Sequence, residues 1–444
     1  MKLKVFFAKD GDCLLLTSAD GSHLLVDGGR STSFEQHARP LLQSMADAGT
    51  PLDLVCVSHI DADHISGIIS LLEDVSAWSV FDYQVGEGQN PAFPRPDNPR
   101  PPQILSFWHN SWRAQFGDLS GPINAVTTRV DEAAALAPVA AASARGAAKA
   151  AVDSIVDLAE SIRDGIRLVR LIEDETPLVR NDGFPNGLVL LRNPPHSQQV
   201  GSMTLTVLGP TQQHLKRLRE EWEEWLENHP RSVVPDKPRR RRSDSGGANL
   251  AALPADAPAT IEEAGDVIAD LATSSAIIEK SNAAKVTPPN RASITLLAEE
   301  GDVSMLLTGD AAEDEILEGL TAAGKLAGGP YHCTVLKVQH HGSEFNLSRT
   351  FADQVIADHY VFCGDGAHEN PSPSVVKTII ASRLQQPGRF TLWFNCSGER
   401  ALPSRRKAMR AALREARKAA TRHSDRIEVR VLEDDRSFLE IEVQ

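Results

Sequence analysis

The sequence predicts an α/β fold built as one large domain and interrupted by two large, partly helical insertions. Three observations predict it. Short apolar runs alternate with helical stretches at both ends of the 444-residue chain, the pattern of a layered α/β structure. Two long stretches between them, residues 83–200 and 211–288, lose that pattern. The apolar runs of the first and last thirds also end, again and again, on His or Asp. Residues 1–444 are therefore read as a single domain carrying insertions at 83–200 and 211–288.

Residues 1–30 hold three strand-like runs, "KLKVFF", "CLLLTS" and "HLLVDGG", split by "DGD" and "ADGS" turns. "FEQHARPLLQSMADAG" has helical spacing and a terminal glycine. "LDLVCV" is a continuous apolar run, the mark of a strand buried on both faces, and "SGIISLLEDV" reads as a helix. Residues 85–103 are proline-rich and read as loop. Residues 131–173 are alanine-rich with helical spacing, and "GLVLLRN" and "MTLTVLGP" return to strand character. A charged helix is expected over 211–229, a mobile loop over 230–258 and a further helix near 260–282. From residue 290 the patterning is strong. "ASITLLAEEGDVSMLLTGD" reads as a hairpin, "CTVLKVQHHGS" and "HYVFCGDG" as strands, and "SPSVVKTIIASRL" as a helix. "RFTLWFN" is a strand, "SRRKAMRAALREARKAATRH" a basic helix, and "RIEVRVLEDDRSFLEIEV" a closing hairpin.

Composition narrows the function classes. Hydrophobic residues make up 41% of the chain, enough for a large core, but aromatics only 5%, so Leu, Val, Ile and Ala must fill it. The formal net charge of −14 argues against general attraction to nucleic acid or to an anionic membrane. A polyanionic substrate would need a local basic patch or a metal. Cys13, Cys56, Cys333, Cys363 and Cys396 are odd in number, form no C-x-x-C pair and adjoin apolar runs. Buried reduced thiols, hence a reducing compartment, are expected. The start lacks a signal-peptide layout and no run approaches the ~20 apolar residues of a spanning helix. The expectation is a cytoplasmic protein without membrane contact.

The chemistry sits where strands end. "VCV" runs into Ser58, His59, Asp61, Asp63 and His64; "MLLTG" runs into Asp310; "VLKVQ" runs into His340, His341, Gly342 and Ser343; "YVFCGDGA" runs into His368. Strands of one layered fold can bring their ends to a common rim. Carboxylates and imidazoles gathered there would be costly without a cation between them. A polar turn capping the next helix would need one acceptor, not four. Imidazole nitrogen and carboxylate oxygen suit Zn²⁺, Mn²⁺ or Fe. His59 and Asp61 could hold one metal, Asp63 and His64 a second, with Asp310 bridging. Two such ions, about 3.5–4 Å apart, would clamp both sides of an in-line displacement. His340 and His341 supply at least one further ligand, and the other orients a neighbouring group or substrate. His368 is a further candidate ligand, and Ser343 a candidate phosphate contact.

The order His-x-Asp-x-Asp-His-x-x-Gly, then "LLTGD", then "LKVQHHGS" resembles the metallo-β-lactamase fold, in particular the branch related to the hydrolase domain of the DNA-uptake protein ComEC. "KDGDCLLL", "LLVDGG" with Asp27, and "NRASITLL" resemble the same branch. The likeness covers residues 1–80, 200–212 and 288–400. It implies an αββα sandwich with a dinuclear site holding two divalent ions, zinc or manganese. Most of the superfamily has His where this chain has Asp61, which implies harder or more weakly held metals. The superfamily's third site-one histidine has no motif here; His109, His196 and His214 lie in the interval. The branch shows His directly before Pro, whereas here Asn370 precedes Pro371 and His368 lies two residues earlier.

Two basic elements could meet phosphate. Arg239 to Arg242 is a solvated loop, a nucleic-acid contact or a protease site. In the late basic helix, Arg405, Arg406 and Arg410 are the candidate substrate contacts. The expected function is metal-dependent phosphodiester hydrolysis, with DNA as substrate. Asp63 and Asp310 would position the attacking water or act as base. Many stand-alone members of the branch sit in bacterial antiphage gene clusters, which implies a nuclease released by a regulatory protein or by a protease acting on residues 230–258. Two rival readings stay open. One is a small-molecule hydrolase acting on a cyclic nucleotide, lactone or thioester. The other is a metal-stabilised protein-binding module, although structural zinc sites favour four closed ligands.

Overall fold

The computed structural model describes residues 1–110, 164–217, 219–220 and 288–443. It is a mixed α/β structure with two sheets. The smaller sheet is formed by β1 (Lys2–Phe6), β2 (Leu14–Thr17), β3 (His23–Val26), β4 (Leu54–Val57), β5 (Phe107–His109) and β14 (Phe438–Glu442), in the order β14-β1-β2-β3-β4-β5. The larger is formed by β6 (Ser197–Val200), β7 (Met203–Gly209), β8 (Thr295–Glu300), β9 (Val303–Leu307), β10 (Tyr331–Lys337), β11 (Val355–Phe362), β12 (Phe390–Phe394) and β13 (Ile427–Val431). They run in the order β13-β12-β11-β10-β9-β8-β7-β6. The helices that matter below are α1 (Arg39–Asp47), α2 (Ala62–Val85), α3 (Glu313–Ala322), α4 (Arg349–Gln354), α5 (Pro373–Arg383) and α6 (Arg406–Arg422).

Period-two alternation sorts the strand side chains into layers. Leu14, Leu16, Leu24, Val26, Leu54 and Cys56 share one core with Leu296, Ala298, Met305, Leu307, Val335 and Val361 of the other sheet. Leu15, Leu25, Val55 and Val57 face the opposite way, into a cluster with Leu42 of α1 and Ile65, Ile68 and Leu72 of α2. In the larger sheet Leu297, Leu306, Leu336, Phe362 and Leu392 join Ile316 of α3, Phe351 of α4, Ile379 of α5 and Met409 of α6. Each such buried side chain contributes roughly 1.5–3 kcal/mol, so the layer order is strongly specified.

The β3–β4 and β4–β5 pairs are parallel, as is every pair from β9 to β13. Parallel neighbours finish at the same edge, so the polar residues after β4, β9, β10 and β11 gather at strand ends. All five cysteines are buried and unpaired. Among the described residues no helix is long and apolar enough to cross a membrane.

Three local expectations need correction. "RIEVRVLEDDRSFLEIEV" is not a hairpin: β13 joins β12 in the larger sheet and β14 crosses to β1 in the smaller. Leu439 and Ile441 of β14 belong to the core between the sheets, and Lys2 pairs with Glu442 at 3.2 Å across the β1–β14 seam. That burial outweighs a local turn. "GLVLLRN" is buried but not a strand, because a side chain takes the place of a strand partner. The Val189 N–H donates to Asn110 Oδ1 (2.8 Å) and its carbonyl accepts from Asn110 Nδ2 (2.9 Å). The helix after the first motif runs from Ala62 to Val85, well past "SGIISLLEDV". Residues 83–200 also contain β5 and β6, both edge strands. Most of the alanine-rich helical stretch, the 230–258 loop, the helix near 260–282 and Arg239 to Arg242 lie outside the described residues.

Candidate metal centre

Five segments supply the site. The β1–β2 loop carries Asp12, the turn after β3 carries Asp27, and the β4–α2 junction carries His59, Asp61, Asp63 and His64. The turn after β9 carries Asp310, and the end of β10 carries Lys337, His340 and His341. Two close approaches need glycine. A Cβ on Gly11 would lie 1.6 Å from the Asp63 carbonyl oxygen, and one on Gly67 would lie 2.1 Å from the Gly28 carbonyl oxygen. Without side chains there, the Asp12 loop closes over the start of α2, and α2 docks on the Asp27 turn.

Asp27, held at a left-handed φ of 57°, organises the imidazoles. Its Oδ1 accepts from the Ser58 N–H and its Oδ2 from the Ser58 hydroxyl, both at 2.7 Å. Asp27 Oδ2 also lies 2.9 Å from His64 Nδ1. A carboxylate at Nδ1 fixes the proton there and aims Nε2 at the centre. His59 Nδ1 is 3.0 Å from the Ser58 hydroxyl, so its Nε2 also faces inward.

At the centre, Asp310 presents its two oxygens to different partners. Oδ1 lies 3.5 Å from His64 Nε2. Oδ2 lies 3.2 Å from His341 Nε2, 3.7 Å from His340 Nε2 and 3.9 Å from His59 Nε2. His341 Nε2 is also 3.2 Å from Asp63 Oδ2, and His59 Nε2 is 3.5 Å from Asp61 Oδ2. Ligand atoms of Asp12, His64, Asp310 and His341 all lie within 4.8 Å of one another. The structure thus brings together His59, Asp61, Asp63, His64, Asp310, His340 and His341.

His59 Nε2, His64 Nε2, both nitrogens of His341 and Asp12 Oδ1 are buried without a hydrogen-bond partner. Each such group costs on the order of 1–3 kcal/mol, and together they fit a divalent cation. The donor set is imidazole and carboxylate. Cys363 lies near Asp12, and burial, followed by the Asp12 charge, pushes its thiol well up. Burial alone would raise the Asp310 carboxyl; His341, His64, His340 and Lys337 outweigh it and hold it well below the carboxylate range. Burial opposes a charge on His64 and His341, yet the carboxylates around them, Asp310 foremost, hold both well above the usual imidazole value. Those protons and a metal compete for the same ring nitrogens. His340 goes the other way: burial dominates and lowers it.

Several supporting residues escaped the sequence reading. Asp12 and Lys337 form a fully buried ion pair, and Lys337 Nζ lies 3.5 Å from Asp310 Oδ1 and donates to the Gly309 carbonyl at 2.8 Å. The lone charge inside the apolar "TVLKVQ" run was the available signal. Asn346 Oδ1 lies 2.8 Å from His340 Nδ1, and its amide donates to the Asp310 and Ala311 carbonyls. Asn290 Nδ2 lies 3.3 Å from both His340 ring nitrogens. Both asparagines act through tertiary contacts that no local pattern reveals.

His368 stands apart. It is exposed, and none of the ion pairs that join the cluster involves it. Its loop closes on itself through Gly366 N–H to Asn370 O and Asn370 N–H to Ala367 O, and left-handed φ values at Gly364, Gly366, His368 and Glu369 turn the chain away. Ser343 is buried, and its hydroxyl accepts from the Phe345 N–H at 3.3 Å within its own turn. Arg405 is engaged: it donates to both oxygens of Asp365 and lies 3.4 Å from Asp10. Arg406 and Arg410 are exposed on α6. Of the three interval histidines, only His109 lies beside β4, its Cα paired with Val57; burial pushes it down to about 3. His196 packs on Phe184, and His214 lies near Glu315 and Glu318.

No curated protein matches the chain. Residues 8–77 match the family model of the metallo-beta-lactamase superfamily. That span includes Asp12, Asp27, His59, Asp61, Asp63 and His64, so the first half of this centre lies in the stretch similar to that superfamily, and the likeness points to metal-dependent hydrolysis.

Proposed function

We propose that the protein hydrolyses phosphodiester bonds, with DNA as substrate, using two divalent ions, zinc or manganese. One observation carries the reading: the Asp310 carboxylate is shared, Oδ1 toward His64 and Oδ2 toward His59, His340 and His341. A carboxylate faced by imidazoles on both oxygens suits a bridge between two cations. His59, Asp61 and His340 would hold one, and Asp12, Asp63, His64 and His341 the other. Such ions, when bound, supply Lewis acidity and a nucleophile at neutral pH.

The chain's own groups prepare the rest. Asp63 and Asp310 stay ionised and orient the attacking water by accepting its hydrogen bonds. Asp27 and Ser58 hold the His64 and His59 rings against rotation. Lys337 anchors Asp12 and Asp310 from below. The shared core between the sheets, with helices on both outer faces, supports the αββα reading. The likeness to the DNA-uptake branch and the basic face of α6 support a nucleic-acid substrate. Release by a partner or protease acting on 230–258, in antiphage defence, is part of the same proposal. Five unpaired buried cysteines support a reducing, cytoplasmic setting. The net charge of −14 fits the second reading no worse, a small-molecule hydrolase acting on a cyclic nucleotide, lactone or thioester.

The test incubates plasmid and single-stranded DNA with the protein in Mn²⁺ or Zn²⁺, beside an Asp63→Ala/His64→Ala variant. Metal-dependent degradation lost in the variant is the expected result. Turnover of bis-p-nitrophenyl phosphate with DNA left intact would overturn the DNA assignment in favour of the small-molecule reading. Bound metal with no turnover of either would overturn the enzyme reading.

A further inference from the structure

The outer face of α6 carries more positive charge than the fold can use. Its buried stripe, Met409, Ala412, Leu413 and Ala416, packs into the core. Its opposite face exposes Arg406, Lys407, Arg410, Arg414, Arg417 and Lys418. The helix holds one acid, Glu415, which pairs with Lys377 at 3.7 Å. Arg410 lies 3.2 Å from Glu399. Arg414, Arg417 and Lys418 make no ion pair among the described residues. Like charges three and four residues apart repel by a few tenths of a kcal/mol each, so they weaken the helix in a chain whose net charge is −14.

These cations line a groove of about 450 Å³ between α6 and the loop after β12, together with Gly398, Glu399 and Arg410. The groove is built around a glycine. A Cβ on Gly398 would lie 2.5 Å from Arg410 Cγ, so the missing side chain lets the Arg410 stem lie across the loop. The residue before α6 is tied by ion pairs to the loops around the metal centre. Arg405, just before α6, pairs with Asp365 and Asp10, and Asp10 pairs with Arg30, whose charge reaches Asp63. From Arg410 to Thr421 the lining follows the helix for about 16 Å at 1.5 Å per residue, too long a row for a single phosphate.

We propose that this groove binds the sugar-phosphate backbone of duplex DNA and leads it to the metal centre. The proposal rests on the phosphodiesterase reading above for its destination but not for the binding itself. The groove-facing stretch of α6 exposes no large apolar side chain, so it has nothing to insert into a lipid surface. An extended row of unpaired guanidinium and ammonium groups is complementary to a repeating polyanion.

The test uses the full chain carrying Asp63→Ala/His64→Ala, so that nothing is cleaved, and follows binding of a labelled duplex by anisotropy across a salt titration. Adding Arg414→Ala, Arg417→Ala and Lys418→Ala is expected to weaken binding at least tenfold near ~0.1 M salt and to lower the slope of log K against log salt by roughly two to three. Gly398→Ala should give a smaller loss in the same direction. If the triple variant melts early, single Arg414→Gln and Arg417→Gln variants report the slope instead. An unchanged slope overturns the groove, and so does a preference for phosphatidylserine vesicles or polyglutamate over duplex. Duplex binding that depends on the groove, in a protein that hydrolyses no phosphodiester, defeats the reaction and leaves the groove standing. Hydrolysis of bis-p-nitrophenyl phosphate with duplex binding indifferent to these residues does the reverse.

Discussion

His341 stands among three carboxylates: its Nε2 lies 3.2 Å from Asp63 Oδ2 and 3.2 Å from Asp310 Oδ2, while its Nδ1 lies 3.3 Å from Asp12 Oδ1. One ring therefore touches residues from the first loop, the first motif and the turn after β9. His341→Ala should leave three acids, two of them buried, facing one another without it. Metal content by elemental analysis should fall, and bis-p-nitrophenyl phosphate turnover should drop by about 100-fold or more. Full occupancy and full turnover would show that the ring is dispensable.

Asp27 should matter through orientation rather than contact. Asp27→Asn turns an amide donor toward His64 Nδ1 or leaves it a weaker acceptor, so Nε2 is no longer fixed as the inward nitrogen. Metal affinity by calorimetric titration should fall roughly 10- to 100-fold. Excess metal should restore turnover, because the ligands themselves remain. Failure of excess metal to rescue would place Asp27 in the chemistry instead.

Lys337 is fully buried, and Lys337→Met should cost roughly 3–5 kcal/mol in urea unfolding because Asp12 is left as an unpaired buried charge. The double variant Lys337→Met/Asp12→Asn should recover much of that loss. Additive losses would mean that the two groups are not coupled.

His214 should make stability fall in acid. Burial, reinforced by Arg291 and Arg217 against Asp314, pushes it down to about 4 from an ordinary 6.5. Its Nδ1 accepts from the Thr211 N–H at 3.1 Å, which holds the ring neutral. The unfolded chain takes up a proton below 6.5 that the fold refuses until about 4. The contribution is therefore whole above 6.5 and lost as pH falls through that window. His214→Asn keeps an acceptor without titrating, so unfolding midpoints compared near neutral pH and near pH 4 should show an acid loss smaller by on the order of 1–2 kcal/mol. Equal losses would rule His214 out as the cause.

Much of this was legible in the sequence because strands deliver chemistry at their ends. His59 to His64, Asp310 and the His340–His341 pair follow apolar runs; "LDLVCV" was readable as a strand covered on both faces, and the parallel pairing of β9 with β10 brings the later two ends to one edge. Residues that act by long-range contact were not legible. Asp12 looks like a turn residue until Gly11 is seen against Asp63. Asn110 looks like a loop residue until it is seen pairing with Val189. His368 also follows a strand, but it sits exposed in a self-closed loop, outside the ion pairs that join the cluster. Residues 426–443 misled because hairpin patterning says that two strands alternate, not that they pair with each other.

The seam between β14 and β1 has a consequence for how the molecule is made. The Met1 amine donates to the Val443 carbonyl at 3.0 Å, and the Phe7 N–H to the Ser437 carbonyl at 2.9 Å. A chain emerging from the ribosome therefore presents its opening strand hundreds of residues before that strand's outer neighbour exists. The loop bearing Asp12 hangs from this strand, so it is fastened only once β14 has been made. Products that stop short of β14 would carry most of the ligands but an unbraced first loop, which ties assembly of the centre to the making of β14.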